Sequence, residues 1–223
     1  MVSLGGSLIV PDDVDVAFVL GIRDALGELA ASSRFVLVCG GGALARRYQG
    51  AYGEITSSRA QADAADWVGV AATRLNAELI KQILGDLAPD EVVYDPSVPP
   101  QFTGRVLVAA GWKPGFSHDY DAVLLAEQLN ATVLLKLSNL AYIHDRDPKL
   151  ELNAQPIEQL SWKRMTRLMG SGWAPGSNLP FDPVATERAA QLGLTLIFAG
   201  KDLHNFRRIL DHQSFSGTTV GPE

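Results

Sequence analysis

Apolar positions along this chain follow two alternating patterns. Short unbroken apolar runs, such as Phe35-Val36-Leu37-Val38-Cys39, are separated by longer stretches in which apolar residues recur every three or four positions. An unbroken run of five is how a strand buried on both faces reads, whereas three- and four-residue spacing marks one face of a helix. On this basis strands are predicted at 1–4, 8–10, 35–39, 91–94, 105–109, 132–137, 194–198 and 218–220. Helices are predicted at 13–31, from 43 onward, and at 61–84, 121–129, 158–169, 183–192 and 203–210. The longest of these carries Val68, Ala72, Leu75, Leu79 and Ile83 as a single apolar stripe. Strands alternating with helices predict an α/β fold, a three-layer αβα sandwich around a mainly parallel sheet. No repeat or long linker interrupts the pattern, so one domain over 1–223 is expected.

Composition narrows the function classes. With 223 residues, 47% apolar and 20% charged, the chain has ample material for a core. A net charge of -6 predicts no nucleic-acid partner, which would want a basic stripe. It leaves room for a nucleotide, since glycine turns and a few local cations can hold phosphate. Cys39 is the only cysteine, which fits a reducing compartment and an inert buried thiol. No apolar run reaches the roughly 20 residues that span a bilayer, and no signal-peptide pattern opens the chain. A cytoplasmic enzyme without a membrane partner is the expectation.

Glycines carry the candidate chemistry. Gly5-Gly6, Gly40-Gly41-Gly42, the 111–115 segment and Gly200 each follow or interrupt a predicted strand. Glycine lets the backbone approach an oxyanion closely, and a following helix N-terminus aims free N–H groups at it. Ligands of open α/β sheets bind outside the carboxyl ends of the strands. Several such turns in one sheet therefore suggest a double phosphate site, donor and acceptor. Neither standard phosphate motif is present: no G-x-x-x-x-G-K-[ST] occurs, and Ala45 stands where G-x-G-x-x-G requires its last glycine. Arg46, four residues after Gly42, can fold back over an anion held at the helix start, and Lys113 is a further candidate cation. Phosphoryl transfer needs such alignment and charge neutralisation more than it needs a base. Asp121, at the start of a predicted helix, reads as a helix N-cap. His204 and His212 read as surface residues. No all-protein metal cage is visible, so a metal would be held mainly by ligand phosphates.

In their order along the chain, Ser3-Leu4-Gly5-Gly6-Ser7, Gly40-Gly41-Gly42 with Arg46, Asp66-Trp67-Val68-Gly69, Thr73-Arg74-Leu75-Asn76-Ala77, Ala122-Val123, Asp147-Pro148-Lys149 and Gly217-Thr218-Thr219-Val220 resemble the amino-acid kinase superfamily. Within it the archaeal-type uridylate kinases are most similar. The resemblance implies the amino-acid kinase fold, transfer of the ATP γ-phosphoryl to UMP in pyrimidine nucleotide biosynthesis, Mg²⁺ accompanying ATP, and a homohexamer. It puts Gly5, Gly6 and Ser7 under the donor phosphates with Ser3 beside them. Gly42 and Arg46 fall at the transferring phosphoryl, and Ser138, Asn139, His144 and Asp147 on the nucleoside side of ATP. UMP would meet Gly41, Asp66 and the loop Gly111, Trp112, Lys113, Pro114, Gly115, Phe116 and Ser117. By the same resemblance catalysis would rest on Arg46, Gly6 and Asp121, the last as an active-site organiser. Three departures stand out. Ser3 occupies a position where many members carry lysine. The usual Asn-Val-Asp-Gly-Val-Tyr loop reads Asn139-Leu140-Ala141-Tyr142-Ile143-His144. Ser117-His118-Asp119-Tyr120 stands where threonines are common. A relative acting on another small acceptor, or a nucleotide- or oxyanion-binding protein of the same fold, are the alternatives.

Overall fold

The computed structural model describes residues 1–57, 61–170 and 179–222. The chain begins with β1 (Val2–Leu4), a one-turn helix α1 (Gly6–Ile9), α2 (Val16–Leu29) and β2 (Phe35–Cys39). Two long helices follow, α3 (Gly42–Thr56) and α4 (Ala62–Leu84), then β3 (Val106–Ala109), α5 (His118–Gln128) and β4 (Val133–Leu137). The last third holds a small ribbon of β5 (Ile143–His144) and β6 (Pro156–Ile157), then β7 (Gln159–Ser161), α6 (Trp162–Met169) and α7 (Pro183–Gln191). It ends in β8 (Thr195–Ala199), α8 (Leu203–Leu210) and β9 (Thr218–Gly221).

Seven strands form one sheet in the order β3-β2-β1-β4-β8-β9-β7, and only the β8–β9 pair is antiparallel. The expected mainly parallel sheet is present. Strands β1, β2 and β3 are buried on both sides. Leu37 and Cys39 of β2 join α2, α4 and α8 in one apolar cluster, while Val36 and Val38 join α5, α6 and α7 in another. Two cores separated by one sheet make the three αβα layers. Chain direction diverges at β1, which has β2 on one side and β4 on the other. A crevice at such a switch point is where open α/β sheets take ligands.

Four expected elements differ. Residues 8–10 are not a strand. Both sides of β1 are already taken by β2 and β4, so the segment after Gly5 turns into α1, with Val10 N–H donating to the Gly6 carbonyl and Leu8 and Ile9 buried. Residues 91–94 contribute only a single bridge, Val93 to Ala109, at the sheet edge. The helix expected at 121–129 begins at His118, because Ser117 Oγ accepts from the Tyr120 N–H and caps it; Asp121 is therefore not the N-cap. The 158–169 helix divides into β7 and α6, with Ser161 as the α6 cap. Residues 171–178, between the helices predicted at 158–169 and 183–192, lie outside the described residues.

Candidate active site

The first two glycine turns interlock. Gly5 N–H donates to the Leu137 carbonyl and Gly40 N–H to the Leu4 carbonyl, each continuing the ladder one residue past its strand. A Cβ on Gly6 would lie 2.1 Å from the Gly42 nitrogen, and one on Gly42, whose φ is +64, would lie 2.3 Å from the Gly6 oxygen. Backbone meets backbone here, so neither position has room for a side chain. Asn76 Nδ2 on α4 donates to the Gly40 and Gly41 carbonyls, 2.8 and 3.2 Å away. In a trans peptide the N–H lies opposite the carbonyl, so this anchor turns the Gly41 and Gly42 N–H groups to the other side. α3 has no side-chain N-cap, and of its first N–H groups Ala43 donates to the Val10 carbonyl, which leaves Gly42 N–H to face an anion.

These turns open onto a cleft of about 630 Å³ at the carboxyl ends of the central strands. Gly5, Gly6, Ser7, Gly41, Gly42 and Arg46 line one part of it. Ser138, Asn139 and Asp147, with Lys149, line the side beyond β4. Asp66, Gly111, Phe116 and Ser117 line the opposite side. The structure thus gathers residues expected of both pockets around one cavity. Arg46 is exposed, reaches only the Pro11 carbonyl at 3.5 Å, and has no ion pair among the described residues.

Beneath the turns lies a buried charge network that the sequence reading missed. Ser3 and Lys136 are in-register neighbours on β1 and β4, and both face the layer that contains α5. Asp119, in the first turn of α5, receives the Lys136 ammonium at 2.5 Å and the Ser3 hydroxyl at 2.6 Å. His118 Nε2 stands 2.9 Å from the same ammonium. Burial pushes the Asp119 carboxyl up, but Lys136, His118 and the Ser3 hydroxyl outweigh it and hold the carboxyl below its usual range. His118 is lowered to about 4, first by burial and then by the Lys136 charge. The available signal was Lys136 itself, a lone cation in the run Val133-Leu134-Leu135-Lys136-Leu137. A lysine is almost never buried unless paired.

Asp121, the expected organiser, does not reach the cleft. It is fully buried on α5, and its Oδ2 accepts the Trp112 N–H at 3.2 Å while Oδ1 has no partner among the described residues. Burial lifts its carboxyl to about 8, with the Trp112 N–H pulling down and Asp119, Asp182 and Asp95 adding to the rise. The neutral acid therefore predominates at pH 7. The unfolded chain ionises near its ordinary value while the fold retains the proton, so Asp121 costs stability progressively from about pH 4 to about 8. Asp121→Asn keeps the acceptor and removes the ionisation. Its melting temperature should exceed that of the parent by several degrees more at pH 8 than at pH 5, read by thermal unfolding across that range.

The 111–117 loop is fastened from behind. Gly111 N–H donates to Thr73 Oγ1 and Gly115 N–H to Asp66 Oδ2, both at 2.8 Å. Arg74 donates to the Trp112 carbonyl at 3.0 Å and lies over the Tyr94 ring. Trp112, Lys113, Pro114 and Gly115 consequently do not line the cleft. The Lys113 ammonium sits 3.7 Å over the Trp112 ring, which packs on Phe116 at 5.0 Å. Phe116, not Trp112, is the aromatic facing the cavity. Asp66 is buried at the start of α4, and burial raises its carboxyl despite the Gly115 N–H. Ser3 lies behind Asp119 instead of lining the cleft, and His144 on β5 is likewise outside the lining, with a buried Nδ1 that has no partner among the described residues. Gly200, the fourth glycine, packs against Ala141 and does not line the cleft. Among the described residues no group of three or more His, Cys, Asp or Glu side chains could hold a metal. No described helix is long and apolar enough to cross a membrane.

Interlocked glycine turns at the switch point of an αβα sheet define a phosphate-handling class, and the chain belongs to the amino acid kinase family, whose sequence model matches residues 1–199. Within that family it is similar to uridylate kinases. It is 32% identical to the uridylate kinase of Methanothrix thermoacetophila, covering 99% of this chain and 96% of that one. It is 33% identical to that of Methanothermobacter thermautotrophicus, covering 100% and 99%. The crystal structure of uridylate kinase from Archaeoglobus fulgidus superposes with a TM-score of 0.83 at 25% identity over 99% of both chains.

Proposed function

We propose that this chain is a uridylate kinase, transferring the γ-phosphoryl of ATP to UMP to give UDP and ADP. One observation carries the reading: a buried ammonium, Lys136, held by Asp119 directly below two interlocked glycine turns, in a chain similar along its whole length to uridylate kinases.

A UMP phosphate oxygen attacks the γ-phosphorus while the bond to the β-bridging oxygen breaks, and both nucleotides keep their other bonds. Negative charge at the transferring group is opposed by the Gly41 and Gly42 N–H groups, by Arg46 and by Lys136. Gly5, Gly6 and Ser7 lie under the donor phosphates, and Ser138, Asn139 and Asp147 border the nucleoside of ATP. On the acceptor side Asp66 retains one oxygen for a ribose hydroxyl while its other holds Gly115, and Phe116 offers its face to the base. Asp119 takes the organising role expected of Asp121, because it alone of the two touches Lys136. Mg²⁺ would come with ATP and would supply charge neutralisation at the phosphates, with no set of side chains in this chain needed to cage it. Asp119 is already engaged by Lys136 and Ser3, and Asp147 Oδ1 accepts the Lys149 N–H, which fits a metal carried by its nucleotide.

Exposed apolar side chains on α3 and α4, namely Tyr48, Ile55, Trp67 and Leu75, suit a homo-oligomer, the hexamer of the resemblance. A cytoplasmic setting suits both the ATP requirement and the buried Cys39 thiol, which burial pushes up to about 12.

The test is a panel of nucleoside monophosphates with Mg-ATP. UDP formation from UMP is expected, and a protein that binds ATP but forms no UDP would overturn the reading. Arg46→Ala should lower kcat/KM by more than about tenfold, the worth of one lost charge contact in the transition state. Unchanged turnover would remove Arg46 from the site.

A further inference from the structure

The Lys136 ammonium has three N–H donors and no lone pair. Each donor has an acceptor: Asp119 Oδ1 at 2.5 Å, His118 Nε2 at 2.9 Å and Ser3 Oγ at 3.3 Å. The Ser3 hydroxyl uses its own proton on Asp119, so its oxygen is free to accept. Because the ammonium can only donate, the 2.9 Å contact requires a lone pair on His118 Nε2. The imidazole is then neutral, with its proton on Nδ1.

The three acceptors are not equivalent. Ser3 is fully buried, and although Asp119, Lys136 and His118 all line the cleft, the His118 side chain is 24% exposed against 8% for Asp119, so His118 is the acceptor that opens most to the cavity. A Cβ on Gly40 would come within 3.1 Å of His118 Nε2, so the ring lies directly against the triple-glycine turn, in space that glycine leaves open. With Ser3 and Asp119 alone the ammonium would be held from β1 and α5 and free to pivot toward the cavity. His118 supplies the third point, on the cavity side.

We propose that His118 is a positioning residue for phosphoryl transfer: its unprotonated Nε2 fixes the Lys136 ammonium under Gly40. Uniform binding of the two nucleotides does not need that restraint. Transition-state neutralisation does, because its strength depends on where the charge sits. The kinetic consequence rests on the uridylate kinase reading; the protonation state of His118 does not.

Two arms test it on the full chain. Long-range ¹H–¹⁵N spectra at pH 7, with the His118 signal assigned by its loss in His118→Gln, should show an unprotonated Nε2 and a protonated Nδ1. In kinetics, His118→Leu should lower kcat about tenfold or more, the loss of one hydrogen bond to a charged group, with KM for ATP and UMP changed by less than about threefold. His118→Gln, which returns an acceptor at the position of Nε2, should recover most of that loss. A charged or Nε2-protonated His118 would overturn the proposal. So would a folded His118→Leu enzyme with parental kcat, or a folded His118→Gln enzyme as slow as His118→Leu. If the parent forms no UDP, the proposed function falls, and the tautomer measurement still supports or overturns the contact.

Discussion

Lys136→Met lowers kcat for UDP formation by about 100-fold or more, with much smaller changes in either KM. Removing a preorganised donor from developing transition-state charge costs on that scale, and Lys136 is the buried cation of the cleft. Stability falls too. Asp119 would keep its carboxylate at a site with almost no solvent, and breaking a buried pair by deleting one partner costs roughly 3–5 kcal/mol. The pH dependence separates this from a general weakening. In the parent the Asp119 carboxyl is held low, so its stabilisation is present at neutral pH and is lost as pH falls through its folded value. Without Lys136, burial dominates and raises that carboxyl, so acid relieves the variant. The gap between parent and variant should therefore be widest near neutrality and close as pH falls, read by denaturant unfolding across the range. Adding Asp119→Asn to Lys136→Met should restore much of the stability and none of the turnover. A double variant that regained activity would show that the pair serves folding alone.

The second large effect is steric. Gly6→Ala would put a Cβ 2.1 Å from the Gly42 nitrogen and 2.4 Å from the Gly40 carbonyl carbon. These neighbours are backbone and cannot rotate away, so the two turns must part. Overpacking a core commonly costs about 1–3 kcal/mol, and a clash with backbone lies at the upper end or beyond it. The phosphate-facing N–H groups shift with the turn, so we expect kcat/KM to fall by about 100-fold or more even where the variant folds, since misplacement by about 1 Å can cost that much. Gly50→Ala is the matched control. It lies in α3 with nothing within 4 Å of its would-be Cβ, so it should be neutral or stabilising by up to about 1 kcal/mol. Equal losses in the two variants would mean that helix propensity, and not the contact between turns, explains Gly6.

Some of the site was legible in the sequence because its signals are local. Gly40-Gly41-Gly42 follows five consecutive apolar residues, and a buried parallel strand ending in glycines marks the ligand end of such a sheet whatever surrounds it. Arg46 follows Gly42 closely enough that helix geometry alone puts both at one end of α3. Asp121, expected as the organiser, points away from the cleft for an equally local reason. Residues two apart on a helix point about 200° apart, so which of Asp119 and Asp121 faces the cleft turns on where α5 begins, and the Ser117 cap decides that. The resemblance puts the whole loop from Gly111 to Ser117 on UMP. Thr73, Arg74, Asp66 and Asp121 hold its backbone from behind, and Phe116 is the ring that lines the cleft.

By itself, then, the order of apolar runs, helical stripes and glycines determined the αβα class, the parallel sheet and the edge of it that faces ligand. Each of these follows from backbone sterics and from burying one face of a short segment. Only the tertiary structure decided the charged floor of the cleft. Ser3 and Lys136 lie 133 residues apart and Ser3 and Asp119 lie 116 apart, so no local pattern relates them. They meet because β1 and β4 pair in a register that sets Ser3 beside Lys136, and because α5 begins at the ends of those strands. An ammonium in that position is tolerable only with a carboxylate beside it, and the packing of the layers, not the spacing of the chain, supplies one.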